Sequence, residues 1–172
     1  MSSSIVVPEE FPVTMLATAI ICFECFSIGF VVVLPARFKA FNKEFMEQFK
    51  EEHEKAFPGS EPAVGGHPDA GDGRYSDKLA YKDWVEFNNA FRTHMNFVEM
   101  LPVIVMSLVL GGLFVPKVAM YVAIINCIAR IIYTTMYVFK GSNNRYIGAI
   151  GGTLPLYFLL IWTIVKMLIY LL

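Results

Sequence analysis

Charge is what this sequence has least of. Asp, Glu, Lys and Arg make up 17% of its 172 residues, against roughly 25% in ordinary soluble domains. The shortage is also uneven: long stretches carry almost no charge, and most ionisable residues fall between Arg37 and Glu86. With a formal net charge of −1, the chain lacks the basic excess that nucleic-acid binding requires. Cysteine is scarce as well. Cys22, Cys25 and Cys127 all sit in apolar segments, and Cys22-Phe23-Glu24-Cys25 has no βαβ context to give its C-x-x-C spacing redox meaning. His53 and His67 show no metal-ligand spacing and read as solvated, so no metal site is expected. The stretch Met1–Glu10 lacks a basic n-region, so the first apolar run reads as a retained span rather than a cleaved signal.

What the chain does have is apolar surface, at 56% of residues. Runs of about 20 apolar residues exceed what a soluble core needs and match a bilayer about 30 Å thick. Four spans are expected, over about 11–35, 87–114, 118–139 and 146–172, joined by a long polar loop over 36–86 and two short turns. Within the loop, Arg37–Phe57 reads as a polar, amphipathic helical extension, with Phe38, Phe41, Phe45 and Phe49 at helical spacing. Pro58–Gly73 reads as irregular. Lys and Arg outside the spans concentrate in the first loop and in Lys140–Arg145. Those two loops should share the cytoplasmic side or its equivalent, with both termini opposite. Tyr81 and Trp84 stand where an interfacial aromatic belt is expected. The fold class is thus an all-α membrane protein, a single four-helix domain over 1–172.

Ionisable residues inside spans are expensive and mark a site or a buried pairing. Here they are Glu24, Arg92, His94, Glu99, Arg130 and Lys166. Arg92, Asn96 and Glu99 recur at i, i+4 and i+7 on span two. Asn126, Arg130, Tyr133 and Tyr137 recur at i, i+4, i+7 and i+11 on span three. Both stripes, and Arg145 at the head of span four, belong to the leaflet of the basic loops. Guanidinium forks bind carboxylates in a bidentate way, and one Glu among arginines can accept an ammonium. The complement is a small zwitterion with more carboxylates than amines. An alternative use of the same residues is helix packing, with Arg92 paired to Glu99 and Arg130 to Glu24. Glu24 could instead pair with Lys166, or face an oligomer axis. Lys166 can also snorkel to the far interface. His94 reads as a packing residue, and Gly111, Gly112, Gly148, Gly151 and Gly152 as sites of close helix approach.

The run Phe87-Asn88-Asn89-Ala90-Phe91-Arg92-Thr93-His94-Met95-Asn96-Phe97-Val98-Glu99-Met100-Leu101-Pro102 resembles the span-two signature of the MAPEG family, the membrane-associated proteins of eicosanoid and glutathione metabolism. Ala129-Arg130-Ile131-Ile132-Tyr133, followed by Tyr137, resembles that family's span-three motif. The likeness extends to its microsomal glutathione transferases of the third type. It implies a left-handed four-helix bundle, a homotrimer, and glutathione as co-substrate held between subunits. Arg92, Asn96 and Glu99 would grip the γ-glutamyl end, with Arg130, Tyr133 and Tyr137 lining the site. Arg37 would reach a glutathione carboxylate. Arg145 would be catalytic, its cation lowering the thiol's pKa to raise the attacking fraction.

The implied activity is a glutathione transferase or peroxidase acting on lipophilic electrophiles or lipid hydroperoxides, in the endoplasmic reticulum or a mitochondrial membrane. Some positions depart from the pattern. Phe91 precedes the arginine where a polar residue is common, Met100-Leu101 replaces an aromatic, and the first loop is far longer than the family's. That loop supports a second expectation, a catalytically silent structural or binding subunit of a larger membrane assembly.

Overall fold

The computed structural model of the chain describes residues 7–172. Residues 1–6, within the stretch read above as lacking a basic n-region, lie outside the described residues. Helix accounts for 80% of the described residues and no strand occurs among them, which makes the fold all-α. Four helical segments are long and apolar enough to cross a membrane: Phe11–Ala40, Tyr81–Phe114, Pro116–Lys140 and Ser142–Leu171.

The first segment comprises α1 (Phe11–Ile28), a π-helical turn (Gly29–Val33) and α2 (Leu34–Ala40). Pro35 sits in the first turn of α2, where its missing N–H is tolerated. The short helices α3 (Lys43–Glu47) and α4 (Lys50–Ala56) follow, and then α5 (Tyr81–Phe114), α6 (Pro116–Lys140) and α7 (Tyr146–Leu171). α5 begins at Tyr81 rather than near Phe87, because the backbone is helical before the sequence turns apolar.

The chain divides into two compact units, residues 7–26 with Asn96–Leu172, and Ser27–Met95. In the first, Ile21, Ile104, Leu108, Ala123 and Leu159 are fully buried, while Leu16, Phe23, Ile128, Ile131, Leu154 and Ile161 face outward. Outward apolar side chains of this size suit hydrocarbon and would be a liability in water. Thr18 and Thr163 are buried because each hydroxyl donates to the carbonyl four residues earlier, Thr14 and Leu159, at 2.8 Å. α6 and α7 meet through small residues. A Cβ on Gly148 would collide with the Tyr133 backbone, and one on Gly152 would lie 3.3 Å from Ala129 Cβ. Across the same seam, Asn126 Nδ2 donates to Gly152 O at 3.0 Å.

In the second unit the polar loop is folded. The aromatic period read as one helix over Arg37–Phe57 is divided among α2, α3 and α4. Phe41 leaves helical geometry, and the Asn42 side chain accepts from Phe45 N–H at 2.9 Å, which caps a new helix. Phe41, Met46, Phe49 and Phe87 are buried together, with Phe41 and Phe87 edge-to-face at 5.1 Å; Phe38 faces outward. Buried Asp69 organises the Pro/Gly-rich stretch. Its carboxylate accepts from the backbone N–H groups of Gly71, Gly73 and Ser76 and from Ser76 Oγ. Burial alone would push this carboxyl up, but those donors, Ser76 first, hold it below its ordinary value. Ion pairs join Lys39 to Glu86, Lys50 to Glu61 and Arg74 to Glu52. All are exposed, and each contributes little.

Candidate functional site

The site is built on α5, α6 and the head of α7. α5 carries Asn96 and Glu99 into the first unit, and α6 carries Arg130, Tyr133 and Tyr137 on one face. All three α6 side chains are buried, with Arg130 at 8% exposure. A guanidinium this secluded needs partners, and its Nη1 donates to Asn96 Oδ1 at 3.2 Å. Its Cζ lies 4.6 Å from the centre of the Phe97 ring and 5.8 Å from that of Tyr133. Stacking on an aromatic face suits the weakly hydrated, delocalised cation.

From Arg130 the contacts continue toward α7. Tyr133 and Tyr137 pack edge-to-face at 5.6 Å and 64°. The Tyr137 hydroxyl then accepts from Arg145 Nη1 at 2.9 Å, with the Arg145 Cζ 5.2 Å from the same ring. Gly141, in the left-handed region at φ 84°, turns the chain between α6 and α7 so that Arg145 arrives beside a residue eight positions earlier. Asn96, Arg130, Tyr133, Tyr137 and Arg145 therefore form one connected series.

Other expected site residues have different settings. Glu99 is exposed and makes no hydrogen bond or ion pair with a described residue. Arg92, in the second unit, is exposed and makes none either. Neither pairing that would have reduced the polar stripes to packing devices, Arg92 with Glu99 or Arg130 with Glu24, forms an ion pair among the described residues. Arg37 is buried in the second unit. Its Nη1 donates to Gly65 O at 2.9 Å, and its Cζ lies 5.0 Å from the Phe87 ring centre. Those interactions pin the loop to α2 and α5. His94 stands beside Gly29 of the π turn, where an added Cβ would be 3.6 Å from its ring.

Phe97 was not among the expected site residues, although it follows Asn96 directly. Its signal was an aromatic inside a polar motif, which reads equally as core. Among the described residues no group of three or more His, Cys, Asp or Glu could hold a metal.

The chemistry available is that of anion capture. Arg130 is dry and oriented, with N–H groups beyond the one given to Asn96. Arg145 is a cation held by a neutral phenol rather than by a carboxylate, so its charge is not cancelled. Together they suit a ligand with a carboxylate at one end and a developing anion at the other.

A family model, the MAPEG family, matches residues 15–165, a stretch that contains nearly all of the four spans and every residue of the site. The chain belongs to the MAPEG family, membrane proteins of eicosanoid and glutathione metabolism.

Proposed function

We propose that this protein is a membrane-bound glutathione transferase or peroxidase, similar to microsomal glutathione transferases of the third type, acting on lipophilic electrophiles or lipid hydroperoxides. The observation that carries the reading is the connected series from Asn96 through Arg130, Tyr133 and Tyr137 to Arg145. Arg130 receives a carboxylate of the tripeptide, and Asn96 and Glu99 meet its γ-glutamyl end, to which Arg92 also contributes. Arg145 faces the thiol and stabilises the thiolate that attacks the second substrate. The sulfur forms its bond to an electrophilic carbon as that carbon's leaving group departs with the bonding pair or its π bond opens. With a hydroperoxide it bonds to the outer oxygen as the O–O bond breaks, and the alkoxide leaves and takes up a proton. A second glutathione converts the resulting sulfenic acid to the disulfide and water. Arg37 is a weaker member of this reading, because one of its N–H groups already donates to Gly65 O and its guanidinium lies over Phe41 and Phe87.

A homotrimer with glutathione between subunits is part of this reading. Glu99 and Arg92 support it, since exposed charges on a span, without an ion pair among the described residues, are costly against lipid and favour cover by a second copy. The endoplasmic reticulum and mitochondrial membranes are the proposed locations. The test is direct binding of glutathione to the purified protein, with thiolate absorbance near neutral pH as readout. Arg145→Ala should abolish the absorbance and leave binding largely intact.

One observation favours a second reading, a catalytically silent subunit of a larger membrane assembly. The loop is folded around its own aromatic core and offers a partner a preformed surface. Glutathione binding without a thiolate signal would select that reading, and no binding would defeat the site.

A further inference from the structure

One ionisable group in the spans lies outside the series from Asn96 to Arg145. Glu24 on α1 is half-buried, and its Oε2 is shielded from solvent without a hydrogen-bond partner among the described residues. A secluded carboxylate is costly unless a cation compensates it or a proton neutralises it. Lys166 does not compensate it: that side chain is exposed on α7 and forms no ion pair among the described residues.

Helix geometry identifies the cation. Cys127 Sγ donates to Ala17 O at 3.4 Å, which sets α1 against α6. Glu24 stands about two turns beyond Ala17 on the same face of α1, and Arg130 about one turn beyond Cys127 on α6. First and third spans run the same way in a four-span chain, so both side chains advance from that contact in one direction. Glu24 and Arg130 lie within reach of each other's charge. Cys127 on α6 is within reach of the Glu24 charge, while Cys25 follows Glu24 directly on α1 and Cys22 stands two residues before it.

Arg130 therefore has an internal carboxyl nearby before any ligand arrives. Two carboxylates sharing one guanidinium in a water-poor site cannot both keep full charge cheaply. We propose that Glu24, though beyond direct ion-pair distance, is the carboxyl that balances Arg130 through space, and that a ligand carboxylate engaging Arg130 drives the uptake of a proton from the medium onto Glu24. Charge balances in this step: the ligand brings one negative charge to Arg130, and the proton removes one at Glu24. The inference rests on the glutathione reading above. It makes Glu24 a positioning residue, which acts on the ligand only through Arg130.

The test is calorimetric titration of the full chain in detergent with S-methylglutathione, in two buffers of different ionisation enthalpy at one pH. The methyl group removes the thiol proton, so linked protonation comes from the protein. The wild type should take up protons as it binds the ligand, at most one per ligand. Glu24→Gln should lose most of that uptake and bind with equal or several-fold higher affinity, since a neutral amide no longer competes for Arg130. Equal uptake in both proteins, or none in the wild type, overturns the proposal while leaving the glutathione site standing. Absence of binding overturns both. Should Glu24→Gln fail to fold, the ligand-bound minus free infrared spectrum of the wild type decides. A new protonated-carboxyl band is expected, and its absence overturns the proposal.

Discussion

Arg145 donates from Nη1 to the phenol oxygen of Tyr137 at 2.9 Å, and no carboxylate pairs with it among the described residues. A cation positioned by a neutral group keeps its full charge for a ligand. Removing it should cost thiolate stabilisation far more than affinity. We expect Arg145→Ala to lower kcat/KM about 100-fold, roughly 2.7 kcal/mol, with glutathione affinity within a few-fold of wild type. Tyr137→Phe keeps the ring and removes the acceptor, and about a tenfold loss is expected. Steady-state kinetics with a chromogenic electrophile, alongside equilibrium binding, check both.

Arg130→Lys tests whether the buried cation is read as a fork or as a point charge. Lysine cannot stack its head on Phe97 and also reach Asn96 Oδ1 with the same geometry. Affinity for glutathione should fall by about 10- to 100-fold, some 1.4–2.8 kcal/mol, with the protein still folded. An unchanged affinity in calorimetry would remove Arg130 from the site.

Arg37→Ala separates loop from site. The substitution leaves Gly65 O without its donor and a gap beside Phe41 and Phe87. Local loop stability should drop by about 3 kcal/mol, seen as faster proteolysis of Pro58–Gly73, while glutathione affinity holds. A proportionate loss of affinity would make Arg37 a full member of the site.

Asp69 gives the loop a pH dependence with a definite sign. Its carboxyl is held below its ordinary value of 3.8 in the folded chain, so ionised Asp69 stabilises the loop above that pH. The contribution fades as pH falls below 3.8 toward the lower folded value. Hydrogen-exchange protection at Gly71, Gly73 and Ser76, relative to the intrinsic rate at each pH, should therefore be high near neutrality and fall in acid. Asp69→Asn should show low protection at both, having lost about 2 kcal/mol or more of charge-assisted hydrogen bonding.

Much of this architecture is legible in the sequence because its signal is local. Apolar runs declare the spans, and the face shared by Asn96 with Arg92, and by Arg130 with Tyr137, follows from helical spacing alone. The hydrogen bond between Asn96 and Arg130 needed only two such faces to meet. What could not be read depends on backbone groups and distant partners. The hydrogen bond from Arg37 to Gly65 O, 28 residues on, has no mark in the sequence. The aromatic period from Phe38 to Phe49 fits one continuous helix, and the break lies in Asn42 preferring to cap. The acceptor role of Tyr137 toward Arg145 required the turn at Gly141, whose direction no periodicity encodes.

Gly148 and Gly152 touch no proposed ligand, yet they govern the azimuth of α7. A Cβ on Gly148 would enter the Tyr133 backbone, whereas one on Gly152 meets only side chains. Gly148→Ala should accordingly cost about 1–3 kcal/mol in thermal unfolding, and Gly152→Ala less. A helix seated on bare main chain has a single rotational setting, and any roll about its long axis would swing Arg145 off the phenol that holds it. The compass bearing of the reactive cation is thus written in two residues that have no side chain at all.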